Sequence, residues 1–263
     1  MTTLGQKQVW AKVLDFTVQD YATKAVLFQV KYATDCAIGE KYEKTEIKGG
    51  SDNQIQYTSF HSPTATFTAQ LPLIDDNVIA VKTGSSTVVG AQTNAFEKTY
   101  TVDTTNGTVV CGVTPLAGTL KVYNVDAEDN LGSVISPVAS APTEEQYSIT
   151  AATLTFNTAK KGAKVLIVCD YTTGVTAIGV KFVSGKLPAL IRITAKTKIE
   201  DKAGNKAIKT IIVERAKPNP DFEFSTKAGT PATLPFDCEV FGWTNSDGES
   251  QFFNMVTDPT LAV

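Results

Sequence analysis

Between Lys186 and Phe241 the sequence reads as strands and tight turns, and that stretch limits what the rest of the chain can become. Leu190 to Lys196 leads through a polar turn, Asp201-Lys202-Ala203-Gly204-Asn205, into a return strand from Ala207 to Val213. After the Pro218-Asn219-Pro220 break, Phe222-Glu223-Phe224 precedes a second turn at Lys227 to Pro231 and a last strand from Leu234 to Val240. Leu234, Phe236, Cys238 and Val240 fall on one side of that strand, with Asp237 and Glu239 on the other. Such alternation, bounded by Gly, Pro and Asn, predicts two consecutive β-hairpins. Nothing in them resembles a reactive centre, so function is to be sought in assembly.

The remainder agrees with a mostly β fold. A polar N-terminal arm leads to a weak strand around Val13, Phe16 and Val18, and a stronger one runs from Ala25 to Tyr32. Residues 33–62 read as a long polar connection containing Glu46-Ile47-Lys48-Gly49-Gly50-Ser51-Asp52-Asn53-Gln54. A loop that long is unusual in a compact domain unless it has a task. It suits a segment that packs on a partner, the other reading being a mobile surface loop. Thr64 to Leu71 alternates as a strand. Asp75 to Gly84 carries acids first, a lysine late and a glycine stop, which predicts one short helix. From about Lys98 the strands become short and closely spaced, with Asn106-Gly107 as a predicted hairpin turn. That block, 98–172, is predicted to be a small β-sandwich or barrel inserted into a host domain made of 1–97 and 173–263. The tail after Phe241, with Trp243, Phe252 and Phe253, either docks on a neighbour or folds back on its own domain.

Composition matters mainly for what it excludes. A net charge of −3 and a pI near 5.3 argue against a protein that grips nucleic-acid phosphates. The opening MTTLGQKQVWAKVLDF lacks the apolar run of a signal peptide, so synthesis in the cytosol as a soluble chain is expected. Cys36, Cys111, Cys169 and Cys238 form no Cys-x-x-Cys pair and read as buried free thiols; a Cys111–Cys169 pair stays geometrically open but is disfavoured by a reducing compartment. His61 has no partners for a triad or a zinc site. Asp126 to Gly132 lacks the alternating carboxylates of a calcium loop, Asp201 to Asn205 is a turn, and Gly49-Gly50 is not followed by the Lys of a phosphate loop. No catalytic residue, cofactor site or metal site is predicted.

Taken together, these residues resemble a bacteriophage tail tube protein, the subunit of the inner tail tube. The resemblance rests on Glu46 to Gln54 followed by the Phe67 strand and the helix near Asp75 to Lys82. It rests also on Ala189 to Ile193 with Ile208 to Val213, then Phe222-Glu223-Phe224 and Gly229-Thr230-Pro231-Ala232-Thr233-Leu234-Pro235-Phe236. It covers about 1–97 and 173–263, while 98–172 is similar to the immunoglobulin-like additions that phage structural proteins carry on their outer face. It implies a tail-tube-type β-sandwich or half-barrel with one short helix, assembled into stacked hexameric rings that conduct DNA without binding it specifically. A tape measure protein, and a sheath where the tail contracts, are the implied partners, with no membrane. Glu46, Lys48, Gly49, Gly50, Asp52 and Asn53 are then expected to contact the next subunit. Asp237 and Glu239, with Lys209 or Glu223, are expected on the lumen wall, where like charge lets the phosphate backbone slip. A different virion β-protein, a decoration, baseplate or adhesin module binding through 98–172, is the alternative.

Overall fold

The computed structural model describes residues 8–10, 14–49, 52, 54–201, 204, 206–221, 223 and 232–258. In chain order, β1 (Gln8–Trp10), β2 (Asp15–Asp20), β3 (Val26–Val30), β4 (Asp35–Gly49) and β5 (Gln54–Leu71) precede the helix α1 (Asp76–Thr83). Then come β6 (Ser86–Val89), β7 (Thr93–Thr101), β8 (Thr108–Val110), β9 (Lys121–Val125), β10 (Leu131–Pro137), β11 (Gln146–Thr150), β12 (Thr153–Phe156) and β13 (Lys164–Thr172). After them come β14 (Ile178–Lys181), β15 (Ile191–Asp201), β16 (Lys206–Pro218), β17 (Leu234–Val240), β18 (Trp243–Thr244), β19 (Ser250–Gln251) and β20 (Asn254–Asp258). The chain is mostly β, and it divides into two compact units, Met1–Val88 with Gly179–Val263, and Val89–Ile178.

In the first unit the strands follow the order β3-β2-β15-β16-β17-β5-β4, with β1 added to β15 and β20 to β16. The predicted hairpin of 190–213 is β15 and β16, paired antiparallel from Ile191↔Ala216 to Glu200↔Lys206. Period-2 burial explains the core: Phe16 and Val18, Ile191 and Ile193, Ile211 and Val213, Leu234 and Phe236, and Phe67 and Leu71 all turn to one face. Phe16 and Phe67 stand on strands four places apart, about 19 Å in a flat sheet. Their ring centroids are 5.2 Å apart, and Phe16 also stacks on Phe236 at 6.0 Å. The sheet has therefore curled until its own ends share one core.

Helix α1 lies against that core through Val78 and Ile79. Asp75 caps it, its carboxylate accepting the Asn77 N–H at 2.8 Å. Gly84 ends it at φ 67°, and a Cβ there would fall on the Leu187 carbonyl oxygen. Both the left-handed backbone and the backbone neighbour forbid a side chain. Gly84→Ala is expected to cost at least about 1 kcal/mol, read as a lower melting temperature. A variant as stable as the parent would contradict that close approach. Two residues earlier, Lys82 is fully buried, and its ammonium has no hydrogen-bond partner among the described residues.

The second unit is a seven-stranded sheet, β7-β13-β9-β10-β11-β12-β8, folded over a core that includes Val109, Val122, Tyr147, Leu154, Phe156, Val165 and Ile167. It extends beyond the predicted 98–172 because β7 begins at Thr93 and pairs along its whole length with β13.

Several elements depart from the sequence reading. Residues 33–62 are no loop: Asp35–Gly49 and Gln54–Leu71 form one long antiparallel hairpin. Asn106-Gly107 does turn, Gly107 having φ 69°, but the flanking strands separate, β7 to β13 and β8 to β12. The turn is a corner between the two ends of the sheet instead of a hairpin. The strand Leu131–Pro137 was not foreseen, because Ile135 alone in it is buried and no alternation marks it. In the second predicted hairpin, β17 pairs with β5 and with the end of β16, while Phe222 and Phe224 to Pro231 lie outside the described residues. The tail folds back: β20 pairs with β16, and Phe252 and Phe253 pack on the first unit's core.

Candidate assembly surface

The order of the first sheet leaves its two outermost strands, β3 and β4, each paired on one side only among the described residues. A row of backbone donors and acceptors without partners invites another strand. On β3 the edge also carries Val26, 62% exposed.

Beyond Glu40 the β4–β5 hairpin leaves the core. Its alternation of buried positions stops at Ala65 on β5, and past it both faces of the ribbon meet solvent. Ten residues of extended chain give it a reach of about 30 Å. Its exposed surface is not uniformly polar. Ile47 pairs with Tyr57 on one face, Phe60 with Lys44 on the other, and Tyr57 and Phe60 are 58% and 66% exposed. An isolated two-stranded ribbon is marginal in water, and this one exposes large apolar side chains as well. Glu46, Lys48, Gly49 and Asp52 stand on its outer half, with Glu46 in an ion pair with Lys44, while Gly50 and Asn53 lie outside the described residues. The ribbon escaped the sequence reading because a strand solvated on both faces has no hydrophobic period to betray it. Its signal was weaker: Ile47, Ile55, Tyr57 and Phe60 are scattered among polar residues that resemble a loop.

The face of the sheet opposite the core is polar. Asp237 and Glu239 of β17 lie on it beside Thr66 and Thr68 of β5 and Lys217 of β16, around an open cavity of about 490 Å³. Across the sheet the same face is tied down at Glu214. Burial opposes its charged form, but hydrogen bonds from Arg192, at 3.0 Å, and from Lys24, at 3.2 Å, outweigh that and hold its carboxyl below the usual range.

Lys209 does not share this face. It follows the parity of Ile211 and Val213 on the core side, and its ammonium sits 5.6 Å from the ring centroid of Trp10. A bulge explains the separation: Ile191 faces Ala216 whereas Ile193 faces Val213, so an extra residue on β16 swaps the faces on either side of it. Lys217, not Lys209, accompanies Glu239. Glu223 is exposed in the irregular segment before β17.

The remaining polar residues singled out in the sequence are occupied locally. His61 lies 3.7 Å from Glu43, its cross-strand partner on the ribbon. Asp126 turns inward on its own loop, where hydrogen bonds from the Asn130 side chain and backbone hold its carboxyl below the usual range. Among the described residues no three His, Cys, Asp or Glu side chains are placed to hold a metal ion, and no helix is long and apolar enough to cross a membrane.

A family model described as the YomU/Tube protein family matches residues 8–255, nearly the whole of both units. No curated protein matches the chain.

Proposed function

This chain belongs to the YomU/Tube protein family, a phage tube-like structural protein and component of the virion tail, and on that premise we propose that it builds the tail tube as stacked hexameric rings that conduct DNA during ejection. The observation that carries this reading is the single curled sheet, with two edges unpaired among the described residues and a long ribbon leaving one of them. Copies related by rotation satisfy such edges in turn, and a ring that closes leaves none exposed. The ribbon supplies the contact to the next subunit or ring, through Ile47, Tyr57 and Phe60 as well as Glu46, Lys48 and Asp52. Asp237 and Glu239 face the lumen, where acidic side chains repel the phosphate backbone and keep the passage free of tight binding. The Val89–Ile178 unit is an immunoglobulin-like addition carried on the outer face. A tape measure protein inside the tube, and a sheath around it where the tail contracts, are the partners of such an assembly.

The test is the assembly state of the purified chain. Rings or tubes are expected in negative-stain micrographs, with a fast-sedimenting species to match. Ile47→Asp combined with Tyr57→Asp, on one face of the ribbon, should leave the monomer's melting temperature nearly unchanged. It should raise the concentration needed for assembly at least about tenfold. A parent chain that stays monomeric at high concentration would remove the tube reading and favour a virion module that binds through its inserted unit.

A further inference from the structure

Two thiols of the second unit, Cys111 and Cys169, are buried and free. Cys111 follows β8 and Cys169 lies in β13, strands five steps apart in the sheet order, which a flat sheet would hold about 24 Å apart. Folding of the sheet cancels that distance. Cys169 is the cross-strand partner of Phe96, Phe96 stacks on Tyr100 with centroids 6.5 Å apart, and the Tyr100 hydroxyl accepts the N–H of Gly112, next to Cys111, at 3.2 Å. A few residues on, Pro115 bridges Tyr171 and the Leu116 N–H donates to the Asp170 carbonyl at 2.8 Å. These contacts lay the two segments side by side, and the thiols meet each other inside, 3% and 2% exposed. Burial, and then the neighbouring Cys111 thiol, push Cys169 above the ordinary thiol range.

We propose that Cys111 and Cys169 form a latent disulfide site, reduced where the chain is made and closed by exchange with a small organic disulfide once the particle reaches an oxidising medium. In the first step the thiolate of one cysteine attacks the small disulfide. The small disulfide's S–S bond breaks, one small thiolate leaves and a mixed disulfide forms on the protein. In the second step the other cysteine gives its proton to solvent, attacks the protein-bound sulfur and expels the second small thiolate. Two protein thiols are oxidised to one disulfide, and one small disulfide is reduced to two thiols. Attack needs a thiolate and access, both of which burial withholds, so closure is slow and follows local opening. Once made, the bond ties the two ends of the seven-stranded sheet and restricts the unfolded chain between them. Cys36 and Cys238 lie in the other unit and take no part.

The full chain is incubated with oxidised glutathione, with and without mild urea to open the unit transiently, then alkylated after unfolding and mapped without reduction. A single linked pair of peptides containing Cys111 and Cys169, two hydrogens lighter than their sum, is expected. The transition of the second unit should rise by about 10 °C, reverse with reductant and be absent in Cys111→Ser and in Cys169→Ser. Four alkylated cysteines after oxidation in urea, glutathione left on either residue as a mixed disulfide, or a link to Cys36 or Cys238 would each overturn the proposal. The outcome does not depend on whether the chain assembles.

Discussion

Phe16→Ala lowers the stability of the first unit by about 3–5 kcal/mol, a large part of what a domain usually has. Phe16 is 1% exposed and touches Phe28, Phe67 and Phe236, with centroid separations of 6.5, 5.2 and 6.0 Å. Its position gives the loss its size. On β2, Phe16 fills the space between the two ends of a sheet that has curled onto itself, so the vacancy opens between layers that cannot close without moving whole strands. Urea denaturation reads the effect as a lower midpoint at unchanged slope. Thr17→Ala, one residue along and on the polar face, should stay within about 0.5 kcal/mol of the parent. Should the two variants prove alike, the ends of the sheet do not share a core and the curled architecture is wrong.

Lys82→Met works in the opposite direction. The Lys82 ammonium is buried without a hydrogen bond among the described residues, and burial lowers its pKa below the ordinary 10.5; the charges of Asp237, Cys238 and Asp221 oppose that without cancelling it. A methionine of similar length keeps the packing and removes the buried charge, so stability should rise by about 1–4 kcal/mol at neutral pH. The sign of the pH dependence follows from linkage. With its folded pKa depressed, Lys82 makes the unfolded chain bind more protons than the folded one between that value and 10.5, so the parent gains stability as pH rises through that window. The advantage of Lys82→Met is therefore largest at neutral pH and below, and narrows as pH approaches 10.5. An advantage that is absent, or that grows with pH, means the ammonium has a partner after all.

Strands with one buried face could be read directly. Leu234, Phe236, Cys238 and Val240 alternate in the sequence and are all buried in the structure, and Ile191 and Ile193 behave likewise. The helix was equally plain, since Asp75, Lys82 and Gly84 mark its two ends by electrostatics and backbone freedom. The outer ribbon was hidden for the converse reason: with no buried face among its described residues beyond Glu40, its strands carry no rhythm. Lys209 lies on the other face from Asp237 because one bulged residue on β16, settled by contacts between distant strands, swaps the faces on either side of it. Even the buried Lys82 looked like ordinary helix punctuation, because what covers a side chain is decided by elements far away in sequence.

The strand order has a consequence during synthesis. β2 and β3 leave the ribosome early, but β15, the central neighbour of β2, follows only after the whole second unit. The second unit finds every strand partner among its own residues and can close while translation continues. The first must hold its phenylalanines in waiting until β17 emerges. A prematurely terminated product therefore lacks β15 to β17 and cannot close the curled sheet on which the proposed assembly depends.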